Sequence, residues 1–349
     1  MLPIPGLTPG LDIHSIVEKK GERIILEVKL REEKKEKIKN IKMPSEKPEV
    51  SLWKDAFRRL LKNKMAVLGG IIVIVLIIIA IFAPYIAPYH FAKGSLLDNY
   101  AKPGPKYLLG ADFMGRDVLS RIIYGARISL SVGLIGAITA FIIGVLYGVI
   151  SGYFGGKVDD IMMRFVDIMY AFPTLLLIIL MMVLFKSTFA VTTPGTFVGT
   201  LSAIDKAFGG LFFIFIGIGV TAWIGMARIA RGMALSLREK EFVEAARAMG
   251  NSNWKIMFKH ITPNLIGPCI VRVTLAIPRY ITFEAFLSFI GLGVNPPTPS
   301  WGMMISEGYQ AMRSYPHLAL FPGIALAISM LAFNFLGDGL RDALDPRMK

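Results

Sequence analysis

The chain carries one cysteine and four histidines in 349 residues, and that scarcity removes several chemistries at once. Cys269 has no partner for an intrachain disulfide and says nothing of the redox compartment. His14, His90, His260 and His317 lack the spacing of metal ligands, so no metal site is expected. A phosphate loop is missing too: Gly155-Gly156-Lys157 lacks the first glycine of that pattern and runs into Val158. Any ATP must therefore be held by another subunit, and no cofactor is expected in this chain. No nucleophile–base pair is visible, which argues against an enzyme. The formal charge of +14 makes no basic face, because residues 1–50 mix Lys, Arg and Glu, and nucleic acid is not an expected partner.

What the sequence has in quantity is apolar length. Hydrophobic residues make up 54% of it, and the mean hydropathy of +0.56 lies far above that of a soluble domain. Six apolar runs reach span length, roughly 20 residues. They fall near Ala66–Ala83, Ile128–Ile150, Ile168–Phe185, Leu211–Ala227, Leu265–Ile290 and Leu318–Leu336. Lipid cannot satisfy backbone amides, so such spans must be helices. The fold expected is an all-α membrane protein of six transmembrane helices. Gly133, Gly136, Gly144 and Gly148 in the second run, with Ser129, Ser131 and Thr139, suit close helix packing.

Ahead of the spans, residues 1–50 form a hydrophilic extension without the apolar centre of a signal peptide. Leu26, Val28 and Leu30 alternate with charged residues as in a short strand, and Gly21 could turn a hairpin with Leu11–Val17. A Lys/Glu-rich linker follows to Glu49. Residues 51–64 should form an amphipathic helix lying on the membrane, with Trp53, Phe57, Leu60 and Leu61 on one side. Lys54, Arg58, Arg59, Lys62 and Lys64 abut the first span, where anionic headgroups and inside orientation favour them.

The longest ordered, charged stretch between two spans is Glu241–Asn264, within a loop running from 228 to 264. Phe242, Ala245, Ala246 and Met249 share one helical face, and Lys240, Glu241, Glu244 and Arg247 cover the other. Gly250 stops this helix, because glycine enters the left-handed conformation without steric cost. Ser252 or Asn253 can cap a second helix carrying Trp254, Met257, Phe258 and Ile261, which Pro263 should close. Arg228, Arg231, Arg238, Lys240, Arg247, Lys255 and Lys259 place this loop on the cytoplasmic side, with both termini there.

Glu244-Ala245-Ala246, three residues and Gly250 resemble the cytoplasmic loop signature of ATP-binding-cassette (ABC) importer permeases. The usual Ile-x-Leu-Pro continuation is replaced by His260-Ile261-Thr262-Pro263, which is similar to the dipeptide/oligopeptide and nickel branch, its C-type permease. Three further strings resemble that branch: Leu108–Leu130, Leu287–Trp301 and Gly337–Lys349. The Phe172-Pro173-Thr174 kink looks like the family as well. The resemblance covers Ser51–Lys349 and implies the type I importer permease fold in residues 65–349. It also implies a homologous second permease subunit in a heterodimer, two ABC ATPase subunits that bind ATP and Mg, and an extracytoplasmic substrate-binding protein. Glu241, Glu244, Ala245, Ala246, Arg247 and Gly250 would couple the chain to the ATPase. Small Ala245 and Ala246 would let that partner approach, so Ala246→Arg is expected to spare folding and abolish ATPase association. Relatives in the branch carry dipeptides, longer peptides, nickel chelates or oligosaccharides; di- or oligopeptides are the expected cargo.

Arg272, Arg279 and Glu284 occupy the fifth span, which Pro268 and Pro278 interrupt. Ionisable groups at that depth face a cavity or one another, so they either line the translocation pathway or form a buried Arg–Glu pair. Arg116, Asp117, Arg121 and Arg127 likewise either contact substrate or binding protein, or form local ion pairs. Asp160, Arg164 and Asp167 stand at i, i+4 and i+7, a spacing that allows mutual neutralisation. An ion-coupled secondary transporter would need more mid-span carboxylates than Glu284 and an inverted internal repeat, and neither is visible.

Overall fold

In the computed structural model residues 52–188 and 196–344 are described. The expected strand and hairpin, the linker and the end of the Gly337–Lys349 string lie outside the described residues. The chain from Asp55 onward is one compact unit; of the other unit, Met1–Lys54, only the start of a helix is described.

Among the described residues there is no strand, and helix accounts for all the large elements. Helix α1 (Leu52–Leu60) carries an Arg59–Asp55 ion pair at 2.5 Å and leaves Phe57 exposed. It is shorter than the expected 51–64, because Asn63 caps α2 (Lys64–Ile81) by accepting from the Met65 and Ala66 N–H groups. Helix α2 is apolar all round and exposes Ile71, Ile74 and Ile78, as a lipid-facing helix does. After short α3 (Ala83–Ile86), a loop pinned by isolated bridges Gly94–Arg116 and Ala111–Asp117 leads to α4 (Val118–Phe154). In that loop Lys106 pairs with Asp98 at 2.7 Å and holds its carboxyl below the usual range.

The third expected span is not one helix. Helices α5 (Gly156–Ala171) and α6 (Thr174–Thr188) meet at a 79° bend, because Pro173 cannot donate to the preceding turn. Next come α7 (Phe197–Ala207), α8 (Phe212–Arg238), α9 (Glu241–Ala248) and α10 (Asn253–Lys255). A π-turn (Ile256–Ile261) joins α10 to α11 (Thr262–Thr274) and α12 (Ile277–Phe289). Helices α13 (Trp301–Gln310) and α14 (His317–Leu344) complete the bundle. Five of these stretches are long and apolar enough to cross a membrane, and the bent α5–α6 pair passes the same test only when its two helices are counted together as one span.

Small residues set the packing. Helices α4 and α8 are in contact along their length, and a Cβ on Gly148 would collide with the Ala227 carbonyl. Helix α2 lies against α14 in the same way, with Gly69 facing the Ala332 carbonyl. Lipid gives no hydrophobic drive for association, so close van der Waals contact must supply it. The main core gathers Val132, Ile218, Ile281, Trp301 and Phe333 in the bundle, and a second cluster lies under α9.

Candidate functional site

Helix α9 is an appendage held by a narrow stripe. Val243 is fully buried and Ala246 is 1% exposed, and both join Ile256, Met257, Ile261 and Leu265 in the cluster beneath. The expected stripe of Phe242, Ala245, Ala246 and Met249 is thus corrected. Ala246 points inward, whereas Phe242, Ala245 and Met249 face solvent, Met249 at 73% exposure. Spacing could not separate two faces that both carry apolar residues. Glu241, Glu244 and Arg247 are exposed, with acids in the first turn and Arg247 in the last, which complements the helix dipole.

Gly250 does stop the helix, at φ +77. Its N–H donates to the Arg247 carbonyl at 2.9 Å and the Asn251 N–H donates to the Ala246 carbonyl at 3.2 Å, the paired bonds of a Schellman end. Ser252 caps α10, and the Tyr153 hydroxyl donates to Asn253 Oδ1 at 2.8 Å, which ties the turn to the end of α4. Trp254 and Phe258 stack at 5.9 Å, both largely exposed. Pro263 does not close this segment, contrary to expectation. The preceding turn widens, so that the Thr262 N–H reaches the Met257 carbonyl, and the chain continues through Pro263 into α11. The outward surface of this unit therefore combines Phe242, Ala245, Met249, Trp254 and Phe258 with charges of both signs.

The expected Asp160–Arg164–Asp167 stack is also replaced. Asp167 pairs with Arg228 at 2.6 Å, and Asp159 pairs bidentately with Arg231 and accepts from the Ser151 hydroxyl. Arg228 also lies over the Tyr170 ring at 4.1 Å. These bonds join α5 to α8 across some 60–70 residues of sequence, a distance local spacing does not address.

Within the bundle a cavity of about 220 Å³ is lined by Tyr170, Thr174, Thr221, Arg272, Arg279 and Phe283 among others. Glu284 is not among its lining residues. It is fully buried and accepts from the hydroxyls of Ser129 at 3.0 Å and Ser288 at 2.7 Å. Ser129 in turn accepts from the Trp301 N–H at 3.3 Å, so the carboxylate locks α12 to α4 and to the start of α13. The alternative of a buried Arg–Glu pair is not met either, since Glu284 forms no ion pair among the described residues.

At the other end of the bundle Arg116 and Arg121 are buried in an ion cluster. Arg116 meets Asp112 at 2.7 Å, and Arg121 bonds Asp112 and also Glu307 at 2.6 Å. Asp117 instead caps α4, accepting from the Ser120 N–H at 2.7 Å, and Arg127 stays exposed. The carboxylates Asp112 and Glu307 escaped the sequence reading. Asp112 lies within the Leu108–Leu130 string, while Glu307 carries no local signal.

The family described as binding-protein-dependent transport system inner membrane component matches residues 144–349. The N-terminal transmembrane domain of oligopeptide transport permease C matches residues 51–103. Among curated proteins, the oligopeptide transport system permease protein OppC of Bacillus subtilis is 42% identical over 87% of this chain and 92% of its own length. The dipeptide transport system permease protein DppC of the same organism is 40% identical, covering 92% of each. OppC of Haemophilus influenzae is 43% identical over 85% of this chain and 89% of its own.

Proposed function

The chain belongs to the family of binding-protein-dependent transport system inner membrane components, and from that premise we propose that it imports di- or oligopeptides as one half of a heterodimeric ABC permease. It is a multi-pass inner membrane protein and a transport subunit, not an ATPase. Two ABC ATPase subunits bind ATP and Mg on the cytoplasmic side, and a binding protein delivers cargo from the other. The end bearing α9 is cytoplasmic, as its run of Arg and Lys requires, and both termini lie on that side.

The observation that carries this reading is the build of α9. A docking element must transmit force without folding away, and α9 is anchored by Val243 and Ala246, closed by Gly250 and tied through Asn253 to α4. Its free surface offers Glu241, Glu244, Ala245 and Arg247 beside Phe242 and Met249, an apolar centre with a charged rim. ATP-driven closure of the ATPases moves α9, and the composite helix running from Asn253 to Phe289 carries that movement to the cavity wall. The shift requires contacts that differ between the two states, since equal binding moves no equilibrium. Arg272 and Arg279, on that same composite helix, line the pathway.

The test is uptake of labelled tri-alanine into proteoliposomes holding the complete complex and its binding protein. ATP-dependent accumulation is expected. Accumulation of an oligosaccharide or a nickel chelate in its place would overturn the cargo assignment.

A further inference from the structure

We propose that Arg272 and Arg279 form an anion site in the pathway wall that takes the C-terminal carboxylate of a peptide in transit. This inference rests on the peptide-import reading above. Three observations carry it. Both side chains are accessible and line the cavity, and the lining holds no Asp or Glu. Neither arginine has an ion-pair partner among the described residues, whereas Arg228 and Arg231, on α8 close by, are each matched with a carboxylate. Glu284, the carboxylate of the same span, is turned away and consumed by Ser129 and Ser288.

Two guanidinium groups inside a membrane span with no counter-charge are costly, and such groups mark substrate paths. An entering carboxylate supplies the missing charge, and its two oxygens match the guanidinium fork. The Arg279 guanidinium rests on the Phe283 ring at 5.2 Å, which restrains its plane while its N–H groups remain unused. The Thr174 hydroxyl provides a further donor on the wall, whereas the Thr221 hydroxyl donates to the Ile218 carbonyl at 3.1 Å. Because the wall is of one sign, the ammonium end of the peptide is repelled and must travel with its charge elsewhere.

The experiment uses the complete complex in lipid nanodiscs. Phenylglyoxal labels accessible arginines, and mass spectrometry reads Arg272, Arg279 and the exposed control Arg58 separately. Both cavity arginines are expected to label, and tri-alanine should slow them at least about fivefold while tri-alanine amide does not. In proteoliposomes the wild type should prefer the free acid to the amide by about tenfold, the scale of one charge-assisted contact. Arg272→Gln/Arg279→Gln should abolish that preference and Arg279→Lys keep part of it. Arginines that never label are neutralised by a partner's carboxylate, and the site does not exist. Labelling that tri-alanine leaves unchanged, or a preference that survives the double variant, also overturns the proposal. If the wild type imports neither peptide, the cargo reading fails, and protection by sodium acetate decides the anion site alone. Acetate protection supports it; no protection removes it.

Discussion

Ala245→Arg and Ala246→Arg place the same side chain at adjacent positions and should fail for different reasons. Ala246 is buried beneath α9, and its carbonyl accepts from both the backbone and side-chain nitrogen of Asn251. An arginine there puts an unpaired charge into the cluster of Val243, Ile256, Met257 and Ile261, at a cost on the order of 4 kcal/mol. The expectation that Ala246→Arg spares folding is therefore reversed. Ala245 is exposed, and arginine is nearly as good a helix former as alanine, so its cost to folding should stay within about 0.5 kcal/mol. In the docked complex, however, an unpaired charge costs on the order of 3 kcal/mol, or about a hundredfold in affinity. The assay is copurification of the ATPase subunits with tagged permease, run beside thermal unfolding of the permease. Ala245→Arg should melt like the wild type and lose its ATPases; Ala246→Arg should melt lower. Wild-type recovery of ATPase with Ala245→Arg would refute the assignment of that face.

Gly148→Val should lower the melting temperature, because its side chain meets the Ala227 carbonyl; overpacking of this kind costs about 1–3 kcal/mol. Gly225→Ala, with open space around it, serves as the neutral control. Arg121→Gln leaves two carboxylates, Asp112 and Glu307, to the single Arg116 in the buried cluster, and this excess charge should destabilise by about 3–5 kcal/mol, read by thermal unfolding in detergent. Lys240→Cys should react with a membrane-impermeant thiol reagent only from the cytoplasmic side, since the native Cys269 is buried. Reaction from outside would invert the topology.

The spans were legible because lipid makes one local requirement, a long apolar run; five of the six expected runs fall in helices long enough to cross, and the third is broken at Pro173. The break at Pro173 and the stop at Gly250 were legible too, since proline and glycine act on their own backbone. What failed depended on partners. The buried face of α9 is decided by the cluster under Val243 and Ala246, not by which residues are apolar. Pro263 failed to end its helix because the Thr262 N–H found the Met257 carbonyl one residue further back. Asp159 and Asp167 chose arginines on α8 over the nearer Arg164. Glu284 carried the mark of a pathway residue in sequence, and only the serines on α4 and α12 revealed it as a brace.

The most direct test of the central claim is ATPase activity of the reconstituted complex, with and without peptide-loaded binding protein. The account predicts a complex that forms through α9 and hydrolyses ATP faster when loaded binding protein is added. A well-formed complex indifferent to peptide-loaded binding protein would contradict peptide import, and failure of the ATPases to assemble on this chain would contradict its role as their permease.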